Sequence, residues 1–164
     1  MGSACRAYID IETTGLNRYR NKLTVVGICL EGNRGLRVVQ LYDDTLTAGV
    51  LLDTLEPASI IYSYNGARFD LPFIERHLGV NLRRFTHCDL MHHCWRSNLW
   101  GGLKAVEHQL GIGRETGGID GLDAVRLWRA YRRGRDPEAL STLLRYNAED
   151  VTNLALIRRR LRVG

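Results

Sequence analysis

Residues 7–16, Ala7-Tyr8-Ile9-Asp10-Ile11-Glu12-Thr13-Thr14-Gly15-Leu16, read as a hydrophobic strand that carries two acids into a glycine turn. Ala7, Ile9 and Ile11 alternate with Tyr8, Asp10 and Glu12. Successive strand side chains point to opposite faces, so both carboxylates leave the same face, with backbone positions roughly 6.6 Å apart. Like charges at that spacing repel by about 2 to 3 kcal/mol at an effective dielectric of about 20, and a cation between them removes the repulsion. A hard divalent metal fits. An edge strand with its polar face in water shows the same alternation. Against that, Glu12-Thr13-Thr14-Gly15 brings the acids to the end of a strand, where open α/β sheets place their sites.

The chain has 164 residues, the size of one domain (1–164) with a substantial core. With 45% hydrophobic and 25% charged residues it falls in the globular range, not the disordered one. The net charge is +5, and Lys22 and Lys104 are the only lysines beside many arginines. The guanidinium fork suits phosphate oxygens, which makes a nucleic-acid or nucleotide partner an expectation; for the arginine excess taken alone, codon bias in a GC-rich genome is the better account. Cys5, Cys29, Cys88 and Cys94 have neither CxxC spacing nor a secretory framework, as expected of a reduced, cytoplasmic protein. The opening Met1-Gly2-Ser3-Ala4-Cys5-Arg6 has Arg where a myristoylation signal requires Ser or Thr, and no apolar run is long enough to span a membrane.

After a polar loop at 17–21, residues 23–30 form a second strand rich in β-branched side chains, and Glu31-Gly32-Asn33-Arg34-Gly35 supplies a turn into a third at 36–42. Residues 7–42 are therefore expected to make an antiparallel meander. Leu46, Val50, Leu51 and Leu55 fall at helical spacing before Pro57, giving a crossover helix. The compact strand 59–64 should then run parallel to the first. A helix starts near 69–71, with Pro72 in its first turn and Gly79 closing it, so Asp70 lies at a helix start. Residues 84–88 suit a fifth strand, with Asp89 capping a helix to about Trp95. Helices at 103–110 and 123–131 flank a glycine-rich loop at 111–121, and Asp136-Pro137 opens a helix through 161, with a break expected near Asn147. This order implies an α/β fold: three antiparallel strands plus two parallel strands in one mixed sheet, with helices on both faces.

Three stretches end in acids: Asp10 with Glu12; Asn65-Gly66-Ala67-Arg68-Phe69-Asp70; and Tyr146-Asn147-Ala148-Glu149-Asp150. In that order they resemble the DEDD exonucleases of the ribonuclease H-like, or DnaQ-like, superfamily, in the tyrosine-bearing DEDDy branch. Asp89-Leu90, residues 103–107, Leu110-Gly111-Ile112 and the Tyr146 segment are further similar to the small YprB-like group. The resemblance implies a ribonuclease H-like sheet and 3′–5′ exonuclease activity on DNA or RNA with a free, single-stranded 3′ end. It implies two ions, Mg²⁺ or Mn²⁺, on Asp10, Glu12, Asp70 and Asp150, with Tyr146 orienting the attacking water. By the same resemblance Thr13, Gly15, Leu16, Asn65 and Phe69 contact substrate, Asn65 near the terminal sugar. The residues agree with this scheme. Tyr146 and Asp150 share a helix face, a crossover brings the strand before Asp70 beside the strand of Asp10, and oxygen-only ligands suit a hard cation.

Each residue also has a plainer role. Asp70 can be a helix cap, Asp150 the acid of a capping box begun by Asn147, Tyr146 a core aromatic and Asn65 a turn residue. His87, Cys88, His92, His93 and Cys94 allow a zinc reading, but without CxxC or a distant ligand pair ordinary helix residues are the better account. For Asp89 a helix cap is preferred to an auxiliary acid of the site. The arginine runs at 129–135 and 158–162 serve either as phosphate contacts or as a solvated face. A silent nucleic-acid-binding or partner-binding domain and a structure-specific endonuclease are the competing functions.

Overall fold

β1 (Cys5–Thr13) is the central strand of the computed structural model, which describes residues 5–164. Residues 1–4, which open the segment read above against a lipidation signal, lie outside the described residues. β1 pairs antiparallel with β2 (Leu23–Gly32), and β2 pairs antiparallel with β3 (Gly35–Tyr42). The expected meander is present. Gly35 adopts φ 100° where Gly32 and Gly35 close the two-residue turn, a conformation that favours glycine.

A single 3-10 turn (Asp43–Thr45) precedes α1 (Ala48–Leu55), whose first free N–H groups are capped by Thr47, its hydroxyl accepting from the Val50 N–H. β4 (Ala58–Ser63) then runs parallel to β1, and β5 (Thr86–Asp89) parallel to β4. The sheet order is β3-β2-β1-β4-β5, a five-stranded mixed sheet.

The strand alternation read from residues 7–16 places two different cores. Ala7, Ile9 and Ile11 face α1 and α2 (Asp70–Leu78), burying Leu51, Leu55, Phe73 and Ile74. Tyr8, on the opposite face, stacks on Tyr62 at 5.2 Å beneath α3 (Leu90–Arg96), α4 (Leu103–Gln109) and α6 (Pro137–Arg160). Helices thus cover both faces. α5 (Gly121–Gly134) lies outside α6, where Ala124 joins Val25, Leu143 and Tyr146.

α6 is one continuous 24-residue helix, and the break expected near Asn147 does not occur. Asn147 is fully buried in mid-helix, where its amide is spent on β1 and β3, so it has no capping role. The helix instead begins where Asp136 accepts from the N–H groups of Glu138 and Ala139. Arg158 and Arg159, in the second arginine run, both pair with the buried Glu31, and Arg158 also donates to Tyr8 at 2.6 Å. These two side chains fasten the C-terminal end of α6 to the sheet.

Candidate metal centre and its cleft

Asp10 and Glu12 leave β1 on the face covered by α6, as the alternation requires. On α6, Tyr146, Asn147 and Asp150 fall one and four residues apart and face that same strand end. Ligand atoms of Asp10, Glu12 and Asp150 lie within 4.8 Å of one another. Among the described residues this is the one group of His, Cys, Asp and Glu arranged to hold a metal ion. Asp10 is half-buried, and Glu12 and Asp150 are buried.

Asp70 arrives from the other side. The β1–β4 pairing ends at Tyr8↔Tyr62, so further along β1 has no strand partner on that edge. There the Ile11 N–H donates to Asp70 Oδ1 at 3.1 Å. Asp70 is therefore tied to the backbone between the two β1 acids, beside the cluster of three and not within it. It is also the first residue of α2, so its placement at a helix start holds.

The four acids raise one another. Burial, followed by the neighbouring carboxylates of Asp150, Asp70 and Glu12, holds Asp10 well above the ordinary carboxylate range. Glu12 is raised for the same reasons, chiefly burial and Asp150, against a lowering hydrogen bond from Asn147. Burial pushes Asp70 up to about 7, and Asp150 up to about 6 against the pull of Arg114. Burial and the charges of Asp150, Glu12 and Asp10 raise the Tyr146 hydroxyl, so it stays protonated at neutral pH. A cluster of raised carboxyls offering only oxygen donors fits a hard divalent cation, whose charge would relieve the repulsion.

The chain supplies its own cations nearby. Arg114, in the loop after α4, donates to both oxygens of Glu107 at 2.8 Å and to Asp150 Oδ1 at 2.5 Å. Lys104 lies 4.5 Å from the centre of the Tyr146 ring and donates to the Ile119 carbonyl. Asn147 donates to the Asp10 carbonyl at 3.2 Å and to Glu12 Oε1 at 3.4 Å, and accepts from Gln40 at 2.9 Å. Opposite Asp10 in the β1–β2 register is Gly27, and a Cβ there would sit 2.1 Å from Asn147 Oδ1. Asn147 and Lys104 fall within quoted motif segments, yet nothing in their spacing revealed these contacts. Arg114 and Gly27 carried no signal beyond their identities.

Asp10, Glu12 and Asp150 line a cleft of about 840 Å³, with Asp70 behind Ile11 and not on its wall. Thr13, Gly15, Leu16, Phe69 and Tyr146, all expected at the site, line it too. Leu16 is 86% exposed at its rim, and Lys104 and Arg129 bring positive charge to its wall. Asn65 is not among the lining residues. It sits in a left-handed turn (φ 60°), its N–H donating to Asp89 Oδ1 at 2.8 Å. Asp89 caps α3 through the Met91 N–H and also accepts from Ala67, so it serves as a cap that shapes the turn leading to Asp70. The His and Cys side chains at 87–94 go to separate contacts: His87 to Ser63 at 2.8 Å, Cys88 with His93 at 3.4 Å, and Cys94 into the core.

Comparison with known proteins agrees with the architecture. No curated protein matches the chain. The family B DNA polymerase from the hyperthermophilic archaeon Pyrobaculum calidifontis superposes with a TM-score of 0.74 at 19% identity, over 98% of this chain and 25% of the polymerase. NrnC of Brucella melitensis superposes with a TM-score of 0.55 at 22% identity, over 96% of this chain and 71% of NrnC. For exonuclease I from Methylocaldum szegediense the TM-score is 0.53 at 15% identity, over 84% of this chain and 42% of that protein. At such identities the likeness is one of fold. The sequence itself carries the family, since the family model of the RNase_H superfamily matches residues 7–162. With nearly its whole length matched, the chain belongs to the RNase H superfamily.

Proposed function

We propose that this chain is a metal-dependent 3′–5′ exonuclease of the DEDDy type, a single domain over residues 1–164 that hydrolyses phosphodiester bonds of DNA or RNA from a free, single-stranded 3′ end. The observation that carries this reading is the convergence of Asp10, Glu12 and Asp150 within 4.8 Å on the wall of a large cleft, with Asp70 one hydrogen bond away at Ile11. Asp10, Glu12 and Asp150 would hold one ion, and Asp10 with Asp70 a second. All the donors are carboxylate oxygens, which suits Mg²⁺ or Mn²⁺. When bound, such ions supply a more acidic water and offset charge on the leaving oxygen.

The remaining roles belong to the protein. Tyr146, held protonated, donates a hydrogen bond that orients the attacking water. Leu16 and Phe69 offer apolar surface to the terminal base and sugar, with Thr13 and Gly15 beside the β1 acids. Lys104 and Arg129, which line the cleft, would meet the substrate's phosphates. Asn65 takes part through the turn it shares with Asp89. No helix of the described residues is long and apolar enough to cross a membrane, and all four cysteines are free, as suits a cytoplasmic setting.

The test compares wild type with Asp10→Ala on end-labelled single-stranded DNA and RNA, with Mg²⁺, Mn²⁺ or a chelator. The expected outcome is metal-dependent shortening from the 3′ end by wild type alone, with a circular strand left intact. Cutting of the circle would mark an endonuclease. Failure to shorten any substrate under every metal would mark a silent binding domain.

A further inference from the structure

We propose that Arg114 is a positioning residue for the acid cluster: anchored on Glu107, it grips one oxygen of Asp150 and sets the orientation in which Asp150 meets Asp10 and Glu12. The inference rests on the nuclease reading above. Its support is the geometry of three buried charges from three different segments. Glu107, on α4, is 1% exposed and receives both hydrogen bonds of Arg114 Nη1 at 2.8 Å, and a third from Asn153 Nδ2 at 3.1 Å. The Arg114 side chain is 8% exposed, and its other terminal nitrogen donates to Asp150 Oδ1 at 2.5 Å. Its guanidinium carbon lies 5.4 Å from the centre of the Tyr146 ring.

A carboxylate held at one oxygen by a buried, planar fork is restrained from turning about its own axis. Its second oxygen remains for the cluster. Glu107 balances the charge of Arg114, so the pair contributes orientation and little net charge. Lysine has one ammonium in place of a planar fork and cannot grip Glu107 at both oxygens and Asp150 together. Partners that orient a metal-binding side chain typically contribute about 10- to 100-fold in metal affinity or activity.

The experiment uses wild type, Arg114→Lys and Glu107→Gln. Mn²⁺ binding to the protein alone is followed by electron paramagnetic resonance, and kcat and KM are measured on a single-stranded oligonucleotide. In both variants the Mn²⁺ Kd is expected to rise and kcat to fall, together reaching about 10-fold or more, while KM for the oligonucleotide stays within about twofold. Circular dichroism establishes folding. Glu107→Gln is isosteric but turns one of the two oxygens that anchor Arg114 into a donor, loosening its grip on Asp150, so it decides the matter if Arg114→Lys does not fold. Folded variants with wild-type Mn²⁺ affinity and kcat would overturn the positioning role and leave the nuclease reading standing. A wild type that neither binds Mn²⁺ nor shortens a substrate would overturn both.

Discussion

Gly27 and Asn147 show how a single missing side chain admits a site. Asn147 reaches β1 only because Gly27 has no Cβ, and there its amide hydrogen-bonds the Asp10 carbonyl and the Glu12 carboxylate. Gly27→Ala would place a carbon 2.1 Å from Asn147 Oδ1. Asn147 cannot simply swing away, because Gln40 holds that oxygen from the other side. Overpacking of this kind costs about 1 to 3 kcal/mol, and urea unfolding should show it. Adding Asn147→Ala should recover part of the loss, and a double variant no more stable than the sum of the singles would refute the clash. Tyr146→Phe tests a different function at the same scale. It removes only the hydroxyl that burial keeps protonated, so kcat should fall roughly 100-fold while KM and the melting temperature hold. An unchanged kcat would reduce Tyr146 to the core aromatic that its position next to Val25 and Leu143 also permits.

At the scale of elements, Asp89 joins three segments. Its carboxylate accepts from Asn65 and Ala67 at the end of β4 and from Met91 at the start of α3, so one side chain fixes both the helix and the turn that delivers Asp70. Asp89→Ala leaves these N–H groups without their acceptor. The expected cost is about 2 to 4 kcal/mol, above that of an ordinary cap. Asp89→Asn keeps one oxygen acceptor and should lose less. If Asp89→Ala unfolds within about 0.5 kcal/mol of wild type in urea, the turn does not depend on it. The elements themselves were largely legible in the sequence. β1 to β3 announce themselves by alternation and β-branched runs, and Pro72 with Gly79 brackets α2 because each residue has one comfortable place there. What stayed hidden was tertiary. Asn147 has the chemistry of a cap, and only the neighbouring Gly27 decides that it serves the sheet while α6 runs on unbroken. Arg114 sits in a glycine-rich loop far along the chain from Asp10, and its partner Asp150 is 36 residues away. No local period connects charges at that separation.

For the molecule as a whole, the fold concentrates repulsion at one end of a five-stranded sheet. Asp10, Glu12, Asp70 and Asp150 are all raised, Asp70 to about 7 and Asp150 to about 6, whereas in an unfolded chain such groups titrate near 4. Between those limits the folded state binds more protons than the unfolded state, so the stability of the metal-free protein should fall as pH rises from about 4 through 7. Glu31 and Glu149 have lowered values, and their contribution, lost on acidification, falls below this window. His87 is lowered by burial and opposes the trend as pH rises toward its unfolded value of about 6.5, but it is one group against four. A net change of about 3 kcal/mol corresponds to a fall in melting temperature of roughly 5 to 10 °C between pH 5 and pH 8 for a domain of this size. A divalent ion removes the penalty where the acids are charged, so Mn²⁺ should raise the melting temperature more at pH 8 than at pH 5. Asp70→Asn keeps an acceptor for the Ile11 N–H and deletes one charge; it should flatten the pH dependence and stabilise the metal-free protein at pH 8. A melting temperature that is level or rises from pH 5 to pH 8 without metal would mean that the acids are already compensated, with Lys104 the cation placed to do it.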